Sequence, residues 1–338
     1  MNRCDDSETD PIPMTINRSD SPLVSIVTPA YNEEKYLAEC IDSVLAQSYP
    51  NWDYLIVNNC SSDATLAIAE QYAARDRRIR VASNSTLLPA VANFNFGLRR
   101  IRPDSKYAKI VFADDWLFPE CLERMVSLAE ANPSVGIVGA YGHQGQVVLW
   151  AGIPYADKVL PGREICRRRL LGGPYVFGSA TSLLFRADLI RSHDPFYNEA
   201  NVHAADSEAC FELLKTCDFG FVHQVLTFSR VREGSLLQIS QELNAAAADT
   251  LLEVLAFGPH YLTYEEYSAV QRETISKYYD FLVSCLLQRR GRKVLDFHNE
   301  VLRRSQIPFS GWALARAFVR KLVHRFRPPD RGRLRWGL

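Results

Sequence analysis

The sequence predicts an α/β protein, with a mostly parallel sheet flanked by helices and followed by a C-terminal helical extension. Three observations predict it. Apolar runs of strand length alternate with stretches of helical period from residue 23 to residue 139, and such β-α-β alternation implies parallel strands joined by right-handed crossovers. Several of these runs end in polar clusters, as strands of an open sheet do beside a ligand crevice. From about residue 238 the pattern turns helical, with few turn signals.

The first strand is expected over residues 23–29, where Val24, Ile26 and Val27 form a β-rich run that ends in Pro29 and the polar Tyr31-Asn32-Glu33. Leu37, Ile41, Val44 and Leu45 then recur at helical spacing until Pro50. A second strand is expected over 52–57 and a polar turn over 58–63. A helix marked by Leu66, Ala69, Tyr72 and Ala73 follows, with Ser62 or Asp63 as N-cap. Strand three falls near 79–82, a helix near 90–101, and strand four over 109–113, running straight into Asp114-Asp115. A helix over 120–131 and a strand over 135–139 complete the alternation. Residues 141–186 read as mixed, with an apolar stretch at 147–150, a basic helix near 165–171 and Gly172-Gly173-Pro174. Residues 206–215 are helical and 219–222 a short strand; helices are expected over 243–257, 265–287 and 292–304.

Composition narrows the class. The 338 residues are 47% hydrophobic and 23% charged, enough apolar material for one large or two modest cores. The formal charge of zero gives no basic excess for nucleic acid. The eight cysteines lack the paired short spacings of zinc or redox sites, which implies reduced thiols in a cytosolic compartment. Residues 1–21 are polar, without the layout of a signal peptide, and read as a disordered segment. Apolar runs stay short of the roughly 20 residues that cross a bilayer, so a membrane would be met from its surface.

The chemistry concentrates at the strand ends. Strand one delivers Thr28 to Glu33, strand two Asn58 to Asp63, and strand four Asp114-Asp115. Asn, Ser and Asp also form turns and caps without any ligand. Two adjacent carboxylates are different, because they repel unless a cation or strong donor lies between them. Hard oxygen ligands suit Mg²⁺ or Mn²⁺, with phosphate and water filling the remaining positions.

The segments Ser25-Ile26-Val27-Thr28-Pro29-Ala30-Tyr31-Asn32-Glu33, residues 56–65 and Ala113-Asp114-Asp115, in this order and spacing, resemble the family 2 glycosyltransferases over residues 22–235. The resemblance implies a GT-A (Rossmann-like) catalytic domain over 22–237; the helical pattern that follows makes 238–309 a helical extension. It implies an inverting transfer from a nucleotide sugar, a UDP-sugar foremost, to a hydroxyl on a glycan or lipid-linked saccharide. Thr28, Pro29, Tyr31, Glu33 and Asn59 inherit the nucleotide contacts. Asp114 would face the ribose or metal, and Asp115 would bind the metal directly. Asp206-Ser207-Glu208 matches the later acidic motif, with Asp206 as general base and Glu208 in reserve; the alternative is that both only favour the dipole of a helix N-terminus.

Departures from the family pattern are Asn59 for an aspartate, Phe112 for an earlier aspartate, and Phe94 for an arginine beside Asn95. Arg230-Val231-Arg232 stands where the family has Arg-x-His, so Arg230 and Arg232 become candidates for neutralising the diphosphate, the alternative being basic residues on a solvated loop. A degenerate transferase domain that binds without turnover is the non-enzymatic alternative, opposed by the retained Asp114, Asp115, Asp206 and Glu208. A sugar nucleotidyltransferase would want a Gly-rich first loop, and residues 23–33 contain no glycine. His203 and His223 read as structural, and Trp116 as either a stacking platform or core.

At the C-terminus, residues 310–338, Trp312, Ala315, Val319, Leu322, Val323 and Phe326 fall on one helical face. Arg316, Arg320, Lys321, Arg325 and Arg327 occupy much of the remainder, and Arg331, Arg333, Arg335 and Trp336 follow. Such a helix suits an anionic membrane surface, which would place the protein on the inner face of the cytoplasmic membrane; the alternative is that the same face packs on the catalytic domain.

Overall fold

The structure, a computed structural model, describes residues 21–305, 307 and 310–326, the last three as backbone. The element order is β1 (Val24–Ala30), α1 (Leu37–Leu45), β2 (Trp52–Asn58), α2 (Thr65–Arg75), β3 (Ile79–Ser83), α3 (Ala90–Leu98), β4 (Tyr107–Ile110), β5 (Trp116–Leu117), α4 (Cys121–Ala131) and β6 (Val135–Gln144). There follow β7 (Val147–Leu149), β8 (Val159–Leu160), α5 (Gly162–Leu170), a 3-10 turn (Ala180–Ser182), β9 (Leu184–Arg186), α6 (Ala187–Arg191), α7 (Ala205–Leu213) and β10 (Asp218–Phe228). The chain closes with α8 (Leu236–Leu243), α9 (Ala245–Tyr261), α10 (Tyr264–Leu287), α11 (Arg292–Arg304) and α12 (Gly311–Phe326).

The sheet runs β3-β2-β1-β4-β9-β6-β10-β5, with β7 on β6 and β8 on β10. Its longest pairings are parallel: β1 with β2 and β4, β2 with β3, and β6 with β10. Short antiparallel strands β5, β7, β8 and β9 fill the second half. All seven residues of β1 and of β2 are buried, as expected of strands covered on both faces. Successive side chains serve opposite cores. Val24, Ile26, Tyr54 and Ile56 join Leu37, Ile41 and Val126 on one side, while Val27, Leu55 and Val57 join Val91, Phe185 and Phe219 on the other. Gly97 lets α3 lie close to the sheet, since a Cβ there would stand 2.5 Å from Val27 Cγ1.

Two local expectations are corrected. Strand four ends at Ile110, so Asp114 and Asp115 lie in the turn that follows rather than straight off the strand. Helix α2 has Ala64 at its N-cap; Asp63 instead accepts from Thr65 N (3.0 Å) while also tying down Glu34 N (3.1 Å).

A third core, with Leu251, Tyr278, Tyr279, Leu282, Val301 and Ala317, joins α9 to α12. Helix α10 opens with a reciprocal capping box between Thr263 and Glu266. The expected apolar face of α12 does not pack inward. Ala317 is buried and Arg320 pairs with Asp280 at 2.8 Å, whereas Trp312 (71% exposed), Val319 (57%), Leu322 and Val323 face outward. The 1–21 segment, except Ser21, and Arg327, Arg331, Arg333, Arg335 and Trp336 lie outside the described residues.

Candidate active site

The loops after β1 and β2 are fastened to each other by side chains that the sequence supplies as turn formers. Asn32, in the left-handed region at φ 54°, accepts from Ser62 N (2.8 Å), and its own N–H donates to Ser61 Oγ (3.0 Å). Glu33 N donates to Thr65 Oγ1 (2.7 Å) and Glu34 accepts from Ala64 N (3.0 Å). This leaves Tyr31 on the rim, 47% exposed.

Not every expected nucleotide contact reaches the crevice. Thr28 is fully buried, its hydroxyl engaged with Tyr54 Oη and Val111 O at 2.8 Å each, and Pro29 is buried beside it. The Thr28 hydroxyl holds the end of β1 against β2 and the segment after β4. Asn59 is buried too: its amide donates to Leu88 O and accepts from Asn84 Nδ2 and Leu88 N, all within 2.9 Å. Its amide thereby shapes the 84–88 turn.

The carboxylates do converge. Asp115 is buried, accepting from Thr181 Oγ1 (2.6 Å), Ser229 Oγ (3.4 Å) and Arg230 N (3.0 Å). Burial first, and the Asp114 charge second, push its pKa up to about 7. Asp114 pairs with Arg232 Nε at 2.6 Å, and the same guanidinium is ion-paired to Glu33 Oε1. Arg230 donates to Asp114 O (3.2 Å), pairs with Glu39 (2.6 Å), and lies over the Tyr36 ring. Glu33 is raised to about 7 by burial and by Asp114, and its Oε2 is buried without a partner.

An orphaned carboxylate oxygen beside Asp114, in a crevice where burial and like charge disfavour ionisation, is chemistry that a hard divalent cation suits. Among the described residues no three acidic, His or Cys side chains close a metal site, so a cation there would draw its remaining ligands from phosphate and water.

On the other side of the 3-10 turn, Asp206 stands in the first turn of α7 and accepts from Ala180 N at 3.3 Å. Burial raises its pKa to about 6, against the pull of the Ala180 N–H and Tyr197. Glu208 does not share this position; its two oxygens accept from Asn198 (2.8 Å) and Asn201 (2.7 Å). The 3-10 turn links both acidic centres, through Ala180 N–H to Asp206 and Thr181 Oγ1 to Asp115. Lys109, fully buried, anchors that turn by donating to Thr181 O (2.6 Å) and Leu183 O (3.1 Å). Sequence reasoning missed Thr181, Ser229 and Lys109. Thr181 lies in the mixed region, and Lys109 reads as an ordinary charged residue in a strand.

The expected structural roles hold for His223, bonded to Tyr141 Oη and Asp157 O. His203 packs edge-on to Phe297. Trp116 stacks on Phe228 with ring centroids 3.6 Å apart.

Residues 25–193, half of the chain, match Glycosyl transferase family 2. The chain belongs to that family. Among curated relatives of this family 2 member, an uncharacterized glycosyltransferase of Haemophilus influenzae is 29% identical over 194 residues, 55% of this chain and 58% of that protein. The putative glycosyltransferase EpsE of Bacillus subtilis is 33% identical over 158 residues, 44% of this chain and 56% of that protein. The chain thus spans little more than half the length of these relatives. Staphylococcus aureus TarS 1–349 in complex with UDP-GlcNAc superposes with a TM-score of 0.57 at 18% identity, covering 76% of this chain and 73% of that one. The mannosyltransferase PcManGT of Pyrobaculum calidifontis, in complex with GDP-Man and Mn²⁺, gives 0.56 at 14% identity, covering 95% and 85%. At such identities the likeness is one of fold, and the fold is GT-A.

Proposed function

We propose that the chain is an inverting glycosyltransferase that moves a sugar from a nucleotide-sugar donor, a UDP-sugar foremost, to a hydroxyl of a glycan or lipid-linked saccharide. The observation that carries this reading is the pair of acidic centres joined by one turn: Asp114-Asp115 with Arg230 and Arg232 on one side, and Asp206 on the other. In this reading the acceptor O–H attacks the anomeric carbon as the bond to the diphosphate breaks on the opposite face. Asp206 takes the acceptor proton, a task suited to a carboxylate raised to about 6. Arg230 and Arg232 exchange carboxylate partners for diphosphate oxygens, and Tyr31 stacks on the base. Asp114 and Asp115 would hold Mg²⁺ or Mn²⁺, which when bound neutralises the leaving diphosphate.

A panel of UDP- and GDP-sugars, read by thermal stabilisation with and without Mn²⁺, tests the donor assignment. Anomeric inversion in the product, read by NMR, tests the mechanism. No stabilisation by any nucleotide sugar, or a retained anomer, would overturn it.

The outward face of α12 supports a second part of the reading, peripheral attachment to an anionic membrane. Trp312, Val319, Leu322 and Val323 are exposed on the side away from Ala317, and Arg316 is exposed beside that face. An arginine-rich stretch follows in the sequence. No described helix is long and apolar enough to span a bilayer. The protein should sediment with phosphatidylglycerol vesicles and not with phosphatidylcholine ones, and Val319→Asp should abolish this without lowering Tm. If Val319→Asp instead splits a dimer that ignores vesicles, the face is an interface between copies.

A further inference from the structure

Tyr197 is fully buried, yet its hydroxyl has no hydrogen-bond partner. A buried polar group left unpaired in an otherwise satisfied core calls for a reason. Its ring cannot drift: Phe196 and Phe94 pack edge-on against it, at 4.8 and 6.4 Å between centroids. Its backbone is clamped on both sides by one side chain, since Asn95 Oδ1 accepts from Tyr197 N and Asn95 Nδ2 donates to Tyr197 O, each at 2.9 Å. Helix α3, held close to the sheet by Gly97, therefore fixes where this phenol points.

The phenol's electrostatic neighbour is Asp206, whose carboxylate helps raise the Tyr197 pKa, while the phenol acts on Asp206 as a donor would. The two groups are adjacent, but the bond between them is not closed in this geometry. Tyr175, from the loop before the 3-10 turn, and Cys210, from α7 itself, also sense Asp206; burial raises both.

We infer that Tyr197 is a positioning residue for Asp206, its hydroxyl closing a hydrogen bond onto that carboxylate as the carboxyl ionises. Ala180 N–H and Tyr197 O–H together then hold the carboxylate plane and stabilise its ionised form. The inference rests on Asp206 as the proton acceptor, and it gives a function to Asn95, whose role the sequence left open.

The test titrates the Asp206 carboxyl by ¹³C NMR, with its resonance assigned by loss in Asp206→Asn, so no knowledge of the donor is needed. The wild-type midpoint should lie near about 6. Tyr197→Phe keeps the ring and removes the donor, and should raise the midpoint by about one pH unit. The acid limb of donor hydrolysis, measured with the most stabilising nucleotide sugar of the panel, should move with it while donor KM stays unchanged. If Tyr197→Phe folds poorly, 3-fluorotyrosine placed at 197 serves instead; its more acidic phenol donates more strongly and should lower the midpoint. A midpoint that neither change moves overturns the positioning role. Transfer that survives in Asp206→Asn would overturn the base assignment instead, so the two failures are distinct.

Discussion

Asp206 illustrates how one residue carries opposite demands. Its folded pKa of about 6 lies above that of a free aspartate, so the native state holds this proton to higher pH than the unfolded chain does. Stability from this group is therefore greatest at low pH and falls as pH rises from about 4 to about 6. Asp206→Asn should leave donor binding intact and raise Tm at pH 7.5, because a neutral amide avoids the buried charge. The same change should cut transfer by about a hundredfold or more. In the wild type, transfer should rise with pH through about 6 as the base ionises. Unchanged transfer with an unchanged Tm would contradict both halves. Phe94 and Phe112, two departures from the family pattern, pack against each other with centroids 5.2 Å apart. An apolar pair stands where the resemblance expects an arginine and an aspartate, so the substitutions match each other and argue against simple decay.

At the scale of elements, the 3-10 turn Ala180–Ser182 is the piece on which both acidic centres depend. Its anchor is Lys109, whose pKa burial pushes down and whose ammonium satisfies two carbonyls. Lys109→Met would leave those carbonyls unpaired in the core, costing about 2–4 kcal/mol. Activity should fall further than stability alone explains, since Thr181 and Ala180 lose their placement. Urea unfolding alongside kcat at a temperature well below Tm separates the two effects; wild-type kcat in a folded variant would remove the turn from the site's architecture. Helix α12 makes a related point. Deleting residues 311–338 exposes the α10 surface that Ala317 and Arg320 cover, so truncation should lower Tm even where the point change Val319→Asp does not.

At the scale of the whole molecule, the sheet and the later helices are joined through a buried ion pair. Glu253 of α9 accepts from Arg169 of α5 at 2.9 Å and from Ser207 of α7, the neighbour of Asp206. Burial nevertheless raises the Glu253 pKa. Arg169→Met would leave that carboxylate uncompensated and should destabilise the protein by about 3–5 kcal/mol. Because Glu253 is then raised further, the loss should be largest at neutral pH and shrink on acidification, which denaturant unfolding at several pH values will reveal. A pH-independent loss would mean that Arg169 acts through packing alone.

The sequence by itself determined the alternating layout, the strand-end loops and the acidic pairs, because these depend on local period and on residue types with few cheap alternatives. It also marked the amphipathic character of α12, since the 3.6-residue period is legible without coordinates. Only the tertiary structure decided which polar residues face the crevice. Thr28 and Asn59 look like ligands in sequence, yet their hydrogen bonds close onto Tyr54, Val111, Asn84 and Leu88. Thr181 and Lys109 carry no local signal, yet distant segments bring them onto Asp115 and the turn beside Asp206. Tertiary packing likewise turned the apolar face of α12 outward, because Ala317 and Arg320 supply its contact with α10. The physical reason is common to all of these: a side chain's chemistry is written locally, but whether its hydrogen bonds or apolar surface remain available depends on partners far away in the chain.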